Sequence, residues 1–144
     1  DKLVLHGGVN AVLWDDKEAI IEEIRRVVPV LKKNGGYVGV NSARNFVSKN
    51  RSLQTVKGLV DQIYYLIEHL DIDHVMLGLD MMDYLSDYGG DKKTGLNDNL
   101  DDLATHADCQ NIIVELRNRG LSINDIEKIA FGNYLNMRKK LLNY

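Results

Sequence analysis

DIDHVMLGLDMMDYLSDY, from Asp71 to Tyr88, is the stretch that decides how the chain is read. Its first half, His74-Val75-Met76-Leu77-Gly78-Leu79, is a short apolar run of the length of a buried strand. The run then delivers two carboxylates, Asp80 and Asp83, at its C-terminal end. In parallel α/β proteins that end of a strand is where binding and chemistry are placed.

Upstream of this strand, Leu53, Val56, Val60, Ile63, Ile67 and Leu70 recur at helical spacing. Ser52 is the expected N-cap of that helix, and Gly58 is its weak point. Before it, Tyr37-Val38-Gly39-Val40-Asn41 reads as a second buried strand. A longer helix precedes that strand, from Asp15 to Lys33, with its apolar stripe on Ile20, Ile21, Ile24, Val27, Val28 and Leu31. Asp15 and Glu18 have capping-box spacing, Lys32 and Lys33 suit the C-terminal dipole, and Asn34-Gly35-Gly36 stops the helix. Pro29 inside it removes one backbone hydrogen bond. At the start, Leu3-Val4-Leu5 leads into the glycine turn of His6-Gly7-Gly8-Val9-Asn10.

Downstream, Tyr84 to Asp108 is too long and polar for a plain connector, with Leu96, Leu100 and Leu103 expected to pin part of it. Cys109 to Arg119 reads as a helix ended by Gly120. Ser122 and Asp125 open a last helix with a face of Ile126, Ile129, Ala130, Tyr134, Met137 and Leu141.

The order β-α-β-α-β-α-α predicts one α/β domain over residues 1–144 with a small parallel sheet. A closed barrel needs eight such strands, so the expectation is half of a TIM-barrel-like fold. A half-barrel leaves sheet edges and one face uncovered. That predicts either a homo-oligomer or a rearrangement to a doubly wound three-layer form.

A net charge of −3 gives no general affinity for nucleic acid or anionic membrane. Cys109 is the one cysteine, so no internal disulfide forms. No apolar run reaches the roughly 18 residues of a membrane span. No targeting segment is visible, although the sequence starts at Asp1, and a cytoplasmic or recombinant soluble protein is expected.

The candidate site residues gather at the predicted strand ends. Asp80 is the candidate catalytic residue; His6, Gly7, Gly8, Asn10 and Asn41 are candidate binding residues on the same rim. Gly7-Gly8 could cradle a small anion with backbone N–H groups, but Asp15 and Asp16 nearby oppose a phosphate, and the turn-forming reading is favoured. His69 sits at a helix end, His74 opens its strand at the end opposite Asp80, and His106 lies in the polar loop. No histidine pair has the spacing of a metal site on one helix face. The aspartates from Asp87 to Asp102 do not follow a calcium-loop pattern.

Three pieces, in order and spacing, resemble the C-terminal part of the renal-type (membrane) dipeptidases over about residues 35–142. They are Asn34-Gly35-Gly36-Tyr37-Val38-Gly39-Val40-Asn41, then Ile72 to Asp80, then Gly120-Leu121-Ser122 through Asp125-Ile126 to Ile129-Ala130-Phe131-Gly132-Asn133-Tyr134-Leu135. The pattern departs at Leu79-Asp80-Met81-Met82-Asp83-Tyr84, where many members carry SDFDG, so Asp83 has no assured counterpart. The first thirty-seven residues are similar instead to the late strand-helix-strand unit of uroporphyrinogen-decarboxylase-like barrels, through Leu5 to Asn10, Lys17 to Ile20 and Val28 to Tyr37. The two resemblances meet near Gly35 to Gly39. This suggests a chain recombined from two barrel fragments, 1–37 and 38–144, or else a divergent or truncated member of one family.

The dipeptidase resemblance implies hydrolysis of dipeptides by two bridged zinc ions. It implies ligands from earlier strands: a His-x-Asp pair, a bridging Glu and two further histidines. This sequence shows no counterpart of that region, and Asp80 alone matches a site position, as an aspartate beside the metals that assists proton transfer. The resulting expectation is a folded, catalytically silent, recombined or engineered barrel fragment with no metal, no cofactor and no natural substrate. The alternative is a zinc-dependent dipeptidase-like hydrolase that requires the missing ligand strands, with a zinc site from His6 and Asp80 as a remoter option.

Overall fold

The computed structural model describes residues 16–81 and 99–142. Helix α1 runs Lys17–Asn34 and strand β1 Val38–Val40. A short helix α2, Arg44–Val47, and a single 3₁₀ turn lead to α3, Val56–Leu70. Strand β2 is Val75–Leu77. After the second described stretch begins come α4, Gln110–Asn118, and α5, Ile123–Glu127. A π turn at Lys128–Gly132 joins α5 to α6, Asn133–Leu142.

The helix limits follow local chemistry. Asp16 accepts from the Ala19 N–H and caps α1, one residue later than the predicted Asp15. Gly35 closes α1 in the left-handed conformation, and the Gly36 N–H returns to the Leu31 carbonyl. Pro29 lies inside α1, which continues through it. Gly120 ends α4 region in the same left-handed way, at φ 91°, and Ser122 caps α5 as predicted. Helix α3 starts at Thr55 rather than Ser52: Thr55 Oγ1 accepts from the Gly58 N–H, whereas the Ser52 N–H and hydroxyl are taken by Asn50 Oδ1. Leu53 therefore falls outside α3 and is exposed, not buried as expected.

The described strands pair in parallel, with Val38 opposite Val75, Gly39 opposite Met76 and Val40 opposite Leu77. The α/β class predicted from the alternation holds, and among the described residues the sheet has two strands. The predicted first strand, Leu3 to Leu5, lies outside the described residues. The core is built on α3, whose Leu59, Val60, Ile63 and Leu70 are fully buried. Burying each such side chain contributes about 1.5–3 kcal/mol. They share one cluster with Val40 and Val75 of the sheet, Ile112 and Leu116 of α4, and Ile126 and Ile129. Leu100 and Leu103 are also in it, so the polar stretch is pinned there as predicted.

Polar side chains join the elements where the sheet is too short to do so. Buried Gln62 donates to the carbonyls of Phe46 and Val47, closing the end of α2 on α3. Arg119 binds Asp61, Glu115 and the Lys57 carbonyl, linking α3 to α4. The last helix is not one continuous apolar face, because the π turn rotates it. Tyr134 and Leu141 are consequently exposed, not buried as predicted, along with Phe131, Leu135 and Leu142.

Candidate functional site at the C-terminal ends of the strands

Side chains alternate along each strand, so one set of residues faces the helices and the other faces away. Val40 and Val75 are buried in the core. Gly39, Gly78 and Asp80, on the opposite alternation, are exposed. The two glycines approach closely: a Cβ on Gly78 would lie 3.1 Å from the Gly39 Cα. Among the described residues the result is a strip of exposed glycine backbone beside Met76, with polar side chains at one end.

Those side chains are Asn41 and Asp80. The strand ladder runs on past the strands, through Gly78 N–H to the Val40 carbonyl at 3.0 Å and Ser42 N–H to the Leu79 carbonyl at 3.2 Å. Ser42 is buried, and its hydroxyl donates to the same Leu79 carbonyl at 2.6 Å. This clamp places Asp80 directly beyond the sheet, where its backbone turns left-handed at φ 56°. That conformation is uncommon for a residue with a side chain, although Asp and Asn tolerate it best. Asn41 Nδ2 donates to Asp80 Oδ2 at 3.3 Å, and Asn41 Oδ1 accepts from the Ala43 N–H at 2.8 Å. The Asn41 amide is thus oriented from both ends.

Of the other predicted site residues, His6, Gly7, Gly8 and Asn10 lie outside the described residues, as does Asp83. His74 lies at the opposite end of β2 and binds the Gly36 carbonyl through Nδ1 at 2.6 Å. His69 stacks on Tyr65 and binds that residue's carbonyl. His106 belongs to the 3₁₀ turn before α4. Among the described residues no three His, Cys, Asp or Glu side chains gather into a group that could hold a metal. A cavity of about 360 Å³ lies elsewhere, lined by Lys17, Ile20, Val47, Asp61 and Tyr65 among others, and contains none of the rim residues. Ser42 was missed in the sequence, where it reads as a loop serine. Its place directly after the strand that carries Asn41 was the available signal.

Fold and rim define a chain of the α/β class that presents an aspartate at the C-terminal edge of parallel strands. The chain belongs to the membrane dipeptidase family (Peptidase family M19), whose model matches residues 25–143. It is 32% identical over 112 residues to the dipeptidase ataJ of Aspergillus terreus. That match covers 77% of this chain but 24% of the relative, so the chain spans about a quarter of the length of the curated protein it resembles. No solved structure matches the chain.

These matches correct two expectations. The reading as a catalytically silent, recombined or engineered fragment is overturned, because both matches are to dipeptidases. They support the dipeptidase resemblance alone and lend nothing to the uroporphyrinogen-decarboxylase one. The expectation of a protein without a cofactor falls with it, since the family's dipeptidases depend on zinc. The described residues nevertheless do not form a zinc-binding set. A single exposed carboxylate with an amide neighbour lacks the three or more donors that zinc requires.

Proposed function

We propose that the chain is the C-terminal part of a dipeptide-hydrolysing enzyme and that Asp80 moves the proton in the reaction. The observation that carries the proposal is an aspartate at the end of a parallel strand pair in a chain of the membrane dipeptidase family. Hydrolysis of a peptide bond adds water across the C–N bond. A proton must leave the attacking water and arrive on the departing amine. A carboxylate at the rim can accept the first proton and return it to the nitrogen. Asp80 is exposed at the end of the glycine strip formed by Gly39 and Gly78, a surface that suits an extended substrate backbone. The metal ligands of the family would come from residues outside the described ones, and a fuller (β/α)8 barrel is the architecture that would bring them to this rim.

The deciding experiment is dipeptide turnover by the purified protein with zinc supplied and with zinc chelated. Zinc-dependent hydrolysis that falls about a hundredfold in Asp80→Asn is the expected result, the size usual for a general acid–base group. Hydrolysis indifferent to both the chelator and the substitution would sink the reading.

We also propose that the protein self-associates. Phe131, Tyr134, Leu135 and Leu142 are exposed near one end of the chain, and covering them would remove apolar surface from water. Light scattering at several concentrations tests this; a monomer at every concentration refutes it.

A further inference from the structure

We infer that Asn41 is the positioning residue for Asp80, acting on the reaction only through that carboxylate. The inference rests on the proposed role of Asp80 in proton transfer. Three features of the rim support it. The first is distance: the two side chains are 39 positions apart in sequence, yet Asn41 Nδ2 lies 3.3 Å from Asp80 Oδ2. The strand register brings them near each other, because Val40 and Leu77 are partners and the ladder runs on to Ser42 and Leu79, the residue after Asn41 and the residue before Asp80.

The second is orientation. An asparagine amide can be turned either way, but here Oδ1 is held by the Ala43 N–H at 2.8 Å. The donor end is thereby left facing Asp80. The third is the backbone. Asp80 stands at φ 56°, outside the extended conformation of the strand it follows. Ser42 holds the preceding carbonyl with two hydrogen bonds, so the main chain is clamped at Leu79. What remains is rotation of the Asp80 side chain itself. An exposed carboxylate samples several rotamers, and one directed donor selects the rotamer in which Oδ2 faces Asn41. The other oxygen is then presented along a defined direction toward a bound substrate.

The test is a double-mutant cycle with Asn41→Ala and Asp80→Asn, read as kcat and KM for dipeptide hydrolysis by the zinc-supplied protein. Asparagine at position 80 keeps the shape and tolerates the left-handed backbone. Asn41→Ala is expected to lower kcat about tenfold with KM within about twofold, the loss of one hydrogen bond to a charged group. In the Asp80→Asn background the same substitution is expected to change kcat less than about twofold. Equal losses in both backgrounds would overturn the inference, because Asn41 would then act independently of Asp80. A second readout does not depend on turnover: the Asn41 side-chain amide ¹⁵N and ¹H resonances. They are expected to move in Asp80→Asn and to stay put in Asp73→Asn, at the other end of the strand. Resonances unmoved by Asp80→Asn would overturn the contact itself. A wild-type protein without zinc-dependent turnover would overturn the catalytic reading, whereas a moved amide resonance would still establish the pairing of the two side chains.

Discussion

Asn133 reaches from the first turn of α6 to the strand that carries Asp80: its Nδ2 donates to the Val75 carbonyl at 2.7 Å and to the Ile72 carbonyl at 2.7 Å. The side chain is 2% exposed. One amide therefore uses both its hydrogens to hold the entry of β2 against the C-terminal helices.

Replacing Asn133 by Leu is expected to leave the shielded Val75 carbonyl without this donor, whereas the Ile72 carbonyl keeps the Val75 N–H. One such group costs about 1–3 kcal/mol, so a loss of that size is predicted. Urea denaturation measures it through the midpoint. A loss below about 0.5 kcal/mol would show that water replaces the amide and that the tie is not structural.

Gly58 in α3 should resist the usual benefit of alanine. In an ordinary helix interior, Gly→Ala gains about 0.5–1 kcal/mol. Here the new Cβ would lie 2.2 Å from the Leu53 carbonyl oxygen, which is backbone and cannot swing aside. The chain before α3 must shift, and Gly58→Ala is expected to destabilise by about 1–3 kcal/mol. Thermal unfolding of the variant gives the sign directly; a raised Tm would disprove the clash.

Asp102 caps α3 from a distant part of the sequence, both carboxylate oxygens lying 3.0 Å from the Val56 N–H. This negative charge at a helix N-terminus satisfies a donor that has no partner within the helix. Asp102→Ala is expected to cost about 1 kcal/mol, and Asp102→Asn about half of that, since the amide oxygen still accepts but the charge is gone. Denaturant titrations of both variants at one salt concentration test the order.

Stability at acid pH should depend on the Arg44–Asp101 pair. The Arg44 guanidinium, by hydrogen bond and then by charge, holds the Asp101 carboxyl below its ordinary range. A folded-state pKa below the unfolded one adds stability at pH values above the unfolded pKa, and that stability is lost as pH falls through the folded pKa. The window is thus below about pH 4. Asp101→Asn is expected to flatten the fall in denaturation midpoint between about pH 4 and pH 2. An unchanged slope would show that the pair is loosened by solvent, as exposed pairs often are.

Much of this is legible in the sequence. The helical stripes of α1 and α3, the stops at Gly35 and Gly120 and the Ser122 cap all arise from interactions within a few residues of each other. Local periodicity and capping are sufficient for such elements. The same locality misled at Ser52, where Asn50 two residues earlier captured the hydroxyl and moved the helix start to Thr55. It misled again after Ile129, where the π turn rotated Tyr134 and Leu141 out of the face predicted for them.

The sequence by itself determined the class of the chain and singled out Asp80, because strand pattern and strand-end carboxylates are readable in one dimension. Only the tertiary structure decided what stands beside Asp80. Asn41 is 39 residues away from it, and parallel register, not sequence spacing, makes them neighbours. Asp102 capping α3 and Asn133 holding β2 belong to the same kind of fact. Each joins a donor to an acceptor at least 39 residues distant, and such pairs exist only once the chain has closed the loops between them.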